Sequence, residues 1–346
     1  MDRKVTGLVP ALLFAFVSFS LVQCGSGGGS DDQPPHTILV LVSNADSSDV
    51  SVIDPATFDV TTLDPADAGY AGSEPRNLAV SSDYRTLYIP FRFSDNVLVA
   101  DTTTPGLVRE ITDLGFDEPY AVAFTEDNSE AWVVNKQGGG SSTGSVTIIN
   151  TATHTVITTV NDAAFSSPEG IAIANGKAYV VNRGNGTVTV VSVASRGVLT
   201  TIATDIGSQP RFAVATPNGA YVYVSNTTAG VTRIQTSNNA TTPITLPFIT
   251  RNLAVTPDGT KIFAATQNDS IIRIRVSDNN VATIDVTVAS SIYGVAVISD
   301  GTLGFATDES RNVVYVFDPG TETVIMDGPN PLEIPVGSTP RAILGL

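Results

Sequence analysis

Residues 251–259 read Arg251-Asn252-Leu253-Ala254-Val255-Thr256-Pro257-Asp258-Gly259, a short apolar run with a small residue inside it that ends in a turn signal. The same arrangement recurs on either side. Gly-Ser-x-Pro-Arg occurs at residues 72–76, 207–211 and 337–341, and each copy opens an apolar run such as Pro75-Arg76-Asn77-Leu78-Ala79-Val80. Looser copies begin at Pro119, Pro168, Thr250 and Ile292, so the anchors stand at 75, 119, 168, 210, 250, 292 and 340. Their spacings are 44, 49, 42, 40, 42 and 48 residues. A recurring interval of this size marks an array of supersecondary units, none of which can bury its apolar face alone.

Within each unit the apolar residues alternate with period two, the signature of half-buried strands. After the anchor strand comes Pro257-Asp258-Gly259, Ser299-Asp300-Gly301, Pro217-Asn218-Gly219 or Asn175-Gly176. Asn or Asp before Gly suits the positive φ angles of two-residue hairpins. A second strand follows, as in Trp132-Val133-Val134-Asn135 and Tyr179-Val180-Val181-Asn182. A third, such as Val50-Ser51-Val52-Ile53-Asp54, ends in Asp or Asn with Thr three residues on: Asp54/Thr57, Asp101/Thr104, Asn150/Thr153 and Asp318/Thr321. The short acceptor closes an Asx-type turn into a fourth strand. Four antiparallel strands per unit predict an all-β fold, a propeller of four-stranded blades.

The chain ends decide how the ring closes. Residues 37–63 supply a second, third and fourth strand without an anchor strand, whereas Pro340-Arg341-Ala342-Ile343-Leu344 is an anchor strand with nothing after it. Six complete units and one split unit predict seven blades, the N-terminal strands pairing with the C-terminal one. That pairing removes the open edge that invites aggregation, and a monomer is expected. The fifth residue of most anchor runs is small (Ala79, Ala123, Ala172, Ala254 and Ala296), as inner strands crowded near an axis require.

These residues resemble the YVTN family of seven-bladed propellers, whose units read approximately Pro-x-x-x-Ala-Val-Ser-Pro-Asp-Gly, then Tyr-Val-Thr-Asn, then Val-Ser-Val-Ile-Asp. The run 251–259 and Asp49-Val50-Ser51-Val52-Ile53-Asp54 match most closely, and the likeness covers nearly all of residues 36–346. Departures are Tyr88-Ile89-Pro90-Phe91 in a second strand, and Thr250 and Ile292 at anchor positions. The resemblance implies the fold and leaves function open, because the family includes surface-layer proteins and lactonase-like proteins.

Composition narrows the function classes. With 18 Lys+Arg against 34 Asp+Glu the net charge is −16, which repels phosphate backbones and excludes nucleic acid as a partner. A single Cys excludes a disulfide framework, a four-Cys zinc site and an iron–sulfur cluster. Two His without CxxCH exclude covalent haem, and no cofactor is expected.

The N-terminus concerns location. Arg3 and Lys4 precede a mostly apolar stretch ending in Leu21-Val22-Gln23-Cys24, the layout of a secretory signal over residues 1–23. The stretch resembles the bacterial lipobox, with Gln23 where Gly, Ala or Ser is usual. The resemblance implies lipidation of Cys24; the alternative is an ordinary signal with a chance Cys. Residues 24–35 then form a Gly/Ser tether, Gly25-Ser26-Gly27-Gly28-Gly29-Ser30-Asp31-Asp32-Gln33-Pro34-Pro35, averaging roughly 18 Å end to end. An envelope location is expected, with membrane contact through the lipid. For a Gram-negative source the absence of Asp after Cys24 resembles outer-membrane lipoproteins.

Equivalent offsets in a closed ring converge on its axis. One residue past each anchor stand Arg76, Tyr120, Glu169, Arg211, Arg251, Tyr293 and Arg341. Guanidinium forks suit carboxylate or phosphate, so this collar is a candidate site for a small anionic ligand. The alternative is that each Arg donates to carbonyls between blades. Other candidates are weaker. Gly140-Ser141-Ser142-Thr143-Gly144 matches GxSxG but lies in a loop between strands rather than at a strand-to-helix turn. His36 and His154 read as surface residues. Glu169, Asn77 and Asn252 are the anchor-run groups available to hydrolysis or a metal, while Asp46, Asp49, Asp308 and Glu309 lack the ligand spacing of a calcium loop. Two functions remain: a non-catalytic binding or scaffold module for a protein or small molecule, and a lactonase-like hydrolase working at the channel mouth.

Overall fold

A computed structural model describes residues 38–346 apart from 104, 105, 138–142, 204, 229, 289 and 290. Cys24, His36 and most of the GxSxG match therefore lie outside the described residues. Among the described residues, the unit His36–Leu346 is all β apart from one short 3-10 turn, Pro65–Ala68. Its sheets are seven four-stranded antiparallel blades.

The split blade forms as its sequence requires. Val40–Asn44, Asp49–Ile53 and Val60–Leu63 pair in order, and Pro340–Gly345 adds to the free side of Val40–Asn44. The closing register runs Val40↔Gly345, Leu41↔Leu344 and Val42↔Ile343, and the Leu346 amide donates to the Leu39 carbonyl at 2.9 Å. The other six blades run in chain order from the axis outward, their inner strands starting at Ala79, Pro119, Pro168, Pro210, Thr250 and Ile292. In the seventh blade the outer strand is interrupted: Thr323–Val324 and Glu333–Pro335 both pair with Val313–Asp318, around a small hairpin of Met326–Asp327 and Asn330–Pro331. That insertion accounts for one long repeat interval. The loop between Asn135 and Ser145 accounts for the other.

Apolar burial lies between blades. Tyr88, Val97 and Val99 of the second blade pack on Val122, Ala131 and Val133 of the third, and Val40, Val42 and Ile53 of the first pack on Ala296, Phe305 and Val316 of the seventh. Each sheet buries both faces against its neighbours, so the ring is held by side-chain area rather than by inter-blade strand pairing. The Asn that ends several second strands clamps the third strand. Asn182 Nδ2 donates to Thr187 Oγ1 at 3.0 Å and Thr189 Oγ1 at 2.8 Å, and Asn135 does the same to Ser145 and Thr147.

The turns after the inner strands correct one expectation. Only Asn175-Gly176 is a two-residue hairpin, with φ of 57° and 67° between the paired Ala174 and Lys177. At Pro257-Asp258-Gly259 only the glycine is left-handed, at 69°, and the Thr256 amide reaches the Lys261 carbonyl across a longer loop. Ser299-Asp300-Gly301, which has no proline, makes the same loop with only the glycine left-handed, at 74°. In both, the Asp side chain accepts the amide two residues on, Asp258 from Thr260 at 3.0 Å and Asp300 from Thr302 at 2.8 Å, and this Asx turn takes the place of the mirror-image hairpin. The Asx turns after the third strands form as expected: Asn150 Oδ1 accepts the Thr153 amide at 3.0 Å and Asp318 Oδ1 the Thr321 amide at 3.1 Å.

Candidate functional site

Every anchor residue sits opposite the last residue of its own second strand, as in Pro119↔Asn135, Pro168↔Asn182, Thr250↔Thr266 and Ile292↔Asp308. Immediately past the anchor the register slips, between Pro119 and Ala121, Pro168 and Gly170, Pro210 and Ala213, Thr250 and Leu253, and Ile292 and Val295. A bulge frees a side chain from the sheet alternation and re-aims it. The residue one past the anchor occupies each bulge, so the seven candidate residues leave their sheets at the same level of the ring.

Hydroxyls complete these bulges. In the fifth, seventh and first blades the Phe212, Gly294 and Ala342 amides donate to Ser225 Oγ, Thr307 Oγ1 and Ser43 Oγ at 3.1, 2.8 and 3.0 Å. Ser225 and Thr307 then donate onward to the Arg251 and Arg341 carbonyls of the next blade, at 2.8 and 3.3 Å. One hydroxyl thus satisfies the bulge and ties neighbouring blades together.

The collar side chains meet at the axis in two aromatic-centred groups. Arg76 lies over the Tyr120 ring at 4.9 Å and Lys136 over the same ring at 5.5 Å. Arg251 and Arg341 lie over Tyr293 at 4.7 and 5.4 Å. Between them Asn77 Nδ2 reaches across to the Glu169 carbonyl at 3.4 Å, and Tyr120, Glu169, Arg211, Phe212, Arg251 and Tyr293 close around a space of only about 10 Å³. That is room for about one water. Burial raises the Tyr120 phenol well above its ordinary range, so it stays protonated. For Arg76 burial acts downward, but Tyr120 and Glu74 outweigh it and hold the guanidinium above its ordinary value.

Most of the charge is compensated. Arg76 pairs with Glu74, Arg251 with Glu309 at 2.8 Å, and Glu169, 1% exposed, accepts from Lys136 at 3.0 Å and Arg183 at 3.2 Å. Arg92 joins Glu118 at 2.6 Å and Glu74 at 3.3 Å. No collar guanidinium donates to an inter-blade carbonyl among the described residues, so the alternative role expected for these arginines is not the one they take. Arg211 and Arg341 make no ion pair among the described residues, and their Nε atoms are buried without a partner.

Sequence reasoning missed a second ring. The residue after each second strand is Ala45, Arg92, Lys136, Arg183, Thr227, Gln267 or Glu309, again one offset repeated round the ring. The residue before each anchor contributes Glu74 and Glu118. These positions and the collar carry seven cations against four carboxylates, although the whole chain is strongly acidic. Reading that offset as the anchors were read would have found the ring.

Away from the collar the bore is apolar. A space of about 410 Å³ is lined by Ala79, Ala123, Ile171, Ala213 and Leu344 among others, and Phe212 separates it from the collar. Of the small residues predicted at the axis, Ala79, Ala123 and Ala172 line it, while Ala254 and Ala296 line a second space of about 190 Å³ that shares Leu78, Phe212 and Leu344 with it. The remaining candidates serve the fold. Asp49 accepts from Asn44 at 2.6 Å, Asp46 from Thr339 at 2.5 Å, and Asp308 from the Ser310 and Arg311 amides. No group of three or more His, Cys, Asp or Glu is placed to hold a metal among the described residues. His154 stands in a turn, as expected, but it is half-buried and bonded to Tyr88 rather than free at the surface.

No family model matches the chain, and no curated protein matches it. Solved structures do. A structure titled hydrazine synthase, from Kuenenia stuttgartiensis, aligns with a TM-score of 0.67 at 18% identity, over 85% of this chain and 99% of that one. A functionally unknown protein from Desulfotomaculum acetoxidans gives 0.71 at 15%, over 88% and 98%. A candidate 6-phosphogluconolactonase from Bacteroides fragilis gives 0.63 at 13%, over 92% and 100%. Likeness at these identities concerns the fold alone, and the names differ as much as the fold permits.

Proposed function

We propose that this protein is a binding module of the bacterial cell envelope, tethered by a lipidated Cys24 and engaging its partner through the collar face of the propeller. The single observation that carries the reading is that the three repeated offsets around the collar carry seven cations and four carboxylates in a chain whose net charge is −16. An acidic protein that gathers its scarce cations around one opening favours anionic groups there and repels them elsewhere. The resemblance to YVTN-type surface propellers, the signal at residues 1–23 and the tether at 24–35 support an extracytoplasmic placement, on the outer membrane in a Gram-negative source. A lactonase-like reading would need a general base with access to a water. Glu169 is the one collar carboxylate, and two cations already hold its Oε1. Binding without chemistry therefore accounts for more of the mouth.

The test uses the full lipidated chain and native envelope freed of this protein. Wild type, a mouth variant Arg211→Glu/Arg341→Glu, and an outer-rim control Arg275→Glu are compared for saturable retention in washed envelope after enzymatic removal of the lipid. Retention of wild type and control with loss in the mouth variant is expected. Equal retention of all three overturns the reading.

A further inference from the structure

One sector of the mouth differs from the rest. Over the boundary between the fifth and sixth blades lies a cleft of about 350 Å³, lined by Ser208, Gln209, Arg211, Thr228, Arg251 and Gln267 among others. Its volume falls in the range of small-molecule sites. Arg211 and Arg251 line both this cleft and the axial space, so they form the wall between the two. Among the described residues, no carboxylate lines the cleft. Elsewhere around the mouth Glu74, Glu118, Glu169 or Glu309 answers five of the cations directly. Arg211, like Arg341 outside the cleft, has no such answer among the described residues, and its Nε is buried and unpartnered.

We infer that this cleft binds a hydroxylated monocarboxylate, the sugar-acid class, with the carboxylate on the Arg211 guanidinium. This deepens the binding-module reading and rests on it. Charge selects the class. Arg251 is neutralised by Glu309 at 2.8 Å, so the cleft offers one uncompensated positive charge and matches a monoanion better than a phosphate dianion. The planar fork of Arg211 suits a carboxylate in two-point contact. The remaining lining selects hydroxyls. Ser208 Oγ and Thr228 Oγ1 bond each other at 2.9 Å and keep further lone pairs, while Gln267 adds an amide. These neutral donors and acceptors offer partners to a polyol chain and little to an alkyl one. The wall position of Arg211 has a second consequence: a carboxylate drawing its guanidinium outward would also act on the packed Tyr120–Glu169–Tyr293 group beneath.

The same chemistry reaches the cleft from two sources, a free sugar acid or a uronic-acid residue of a polysaccharide. Titration calorimetry of the full chain with glucuronate, oligogalacturonate, acetate, glucose and inorganic phosphate separates them. Glucuronate or the oligomer is expected to bind at least about 10-fold more tightly than acetate, glucose or phosphate, the stronger of the two identifying the source. Arg211→Gln should weaken that binding at least about 10-fold, the scale of a lost charged hydrogen-bond pair. Gln267→Leu should narrow the margin over acetate, and unchanged melting of both variants excludes misfolding. Equal affinity in wild type and Arg211→Gln overturns the site. Tighter binding of phosphate, or an unchanged acetate margin in Gln267→Leu, overturns the ligand class. Envelope retention lost in the mouth variant while no carboxylate binds wild type overturns this inference and leaves the binding-module reading standing.

Discussion

The hydroxyl of Tyr88 and Nδ1 of His154 lie 2.7 Å apart, joining the second strand of one blade to an outer turn of the next. Tyr88 is fully buried, its ring tilted against Phe124 at 5.1 Å, so this bond gives the hydroxyl a polar partner inside an apolar interface. Burial raises the Tyr88 phenol above its ordinary range, and burial followed by the Arg109 charge lowers the His154 imidazole below 6.5.

From this follows a pH dependence. Between the folded pKa of His154 and 6.5 the unfolded chain binds more protons than the folded one, so stability is full above that window and falls as pH drops through it. The melting temperature should decrease from pH 7.5 to 5.5, and His154→Gln should flatten that part of the curve. Melts followed by emission of Trp132, the sole and fully buried tryptophan, check this. An identical slope in the variant would exclude His154 as the source.

Removing residues 340–346 should damage the fold far more than trimming a free tail. These residues are the inner strand of the split blade, and Leu346 is completely buried. Leu346→Ala alone should cost roughly 2–4 kcal/mol through the cavity it leaves. Denaturant unfolding reads both. A truncated chain with the full-length midpoint would contradict closure by strand pairing.

Gly170→Ala and Gly294→Ala should destabilise by similar amounts at different blade boundaries. A Cβ on Gly170 would stand 2.5 Å from the Arg211 carbonyl, and one on Gly294 would collide with the Arg341 carbonyl. Backbone in both neighbours leaves nothing flexible to give, so a loss of about 1–3 kcal/mol is expected for each. Chemical denaturation measures it, and a change below about 0.5 kcal/mol would mean that the blades separate freely.

Glu169→Gln should lower stability by roughly 1–3 kcal/mol, because it leaves Lys136 and Arg183 facing a neutral group while both keep some access to water. Arg183→Gln should cost less, since Lys136 remains. If the two variants unfold at the same denaturant concentration, the carboxylate is not the hub of this cluster.

Cys24→Ala should abolish incorporation of radiolabelled palmitate by cells expressing the full chain. Labelling that survives the substitution would refute lipidation at this residue.

The sequence determined much of this protein because its information is local and repeated. Period-two alternation and Asx or Gly turn signals act over a few residues, so strand positions followed directly. Repetition of the anchor then brought seven distant residues to one level of the ring, because equal offsets in a closed array occupy equal places. Closure was legible too, from a blade whose parts stand at opposite ends of the chain. The exception, shared by Pro257-Asp258-Gly259 and Ser299-Asp300-Gly301, was a local competition: Asp-Gly suits a mirror-image hairpin, but the Asp side chain closes an Asx turn onto the amide two residues on instead. What the tertiary structure alone decided is how the collar's charge is spent. Arg251 meets Glu309 from 58 residues away and Arg92 meets Glu118 from the next blade. Arg211, at the same offset as Arg76, meets no carboxylate among the described residues. Offset places a side chain at the mouth, but the residues beside it come from other strands and other blades. Whether a guanidinium is neutralised or left free is fixed only when the ring closes around it.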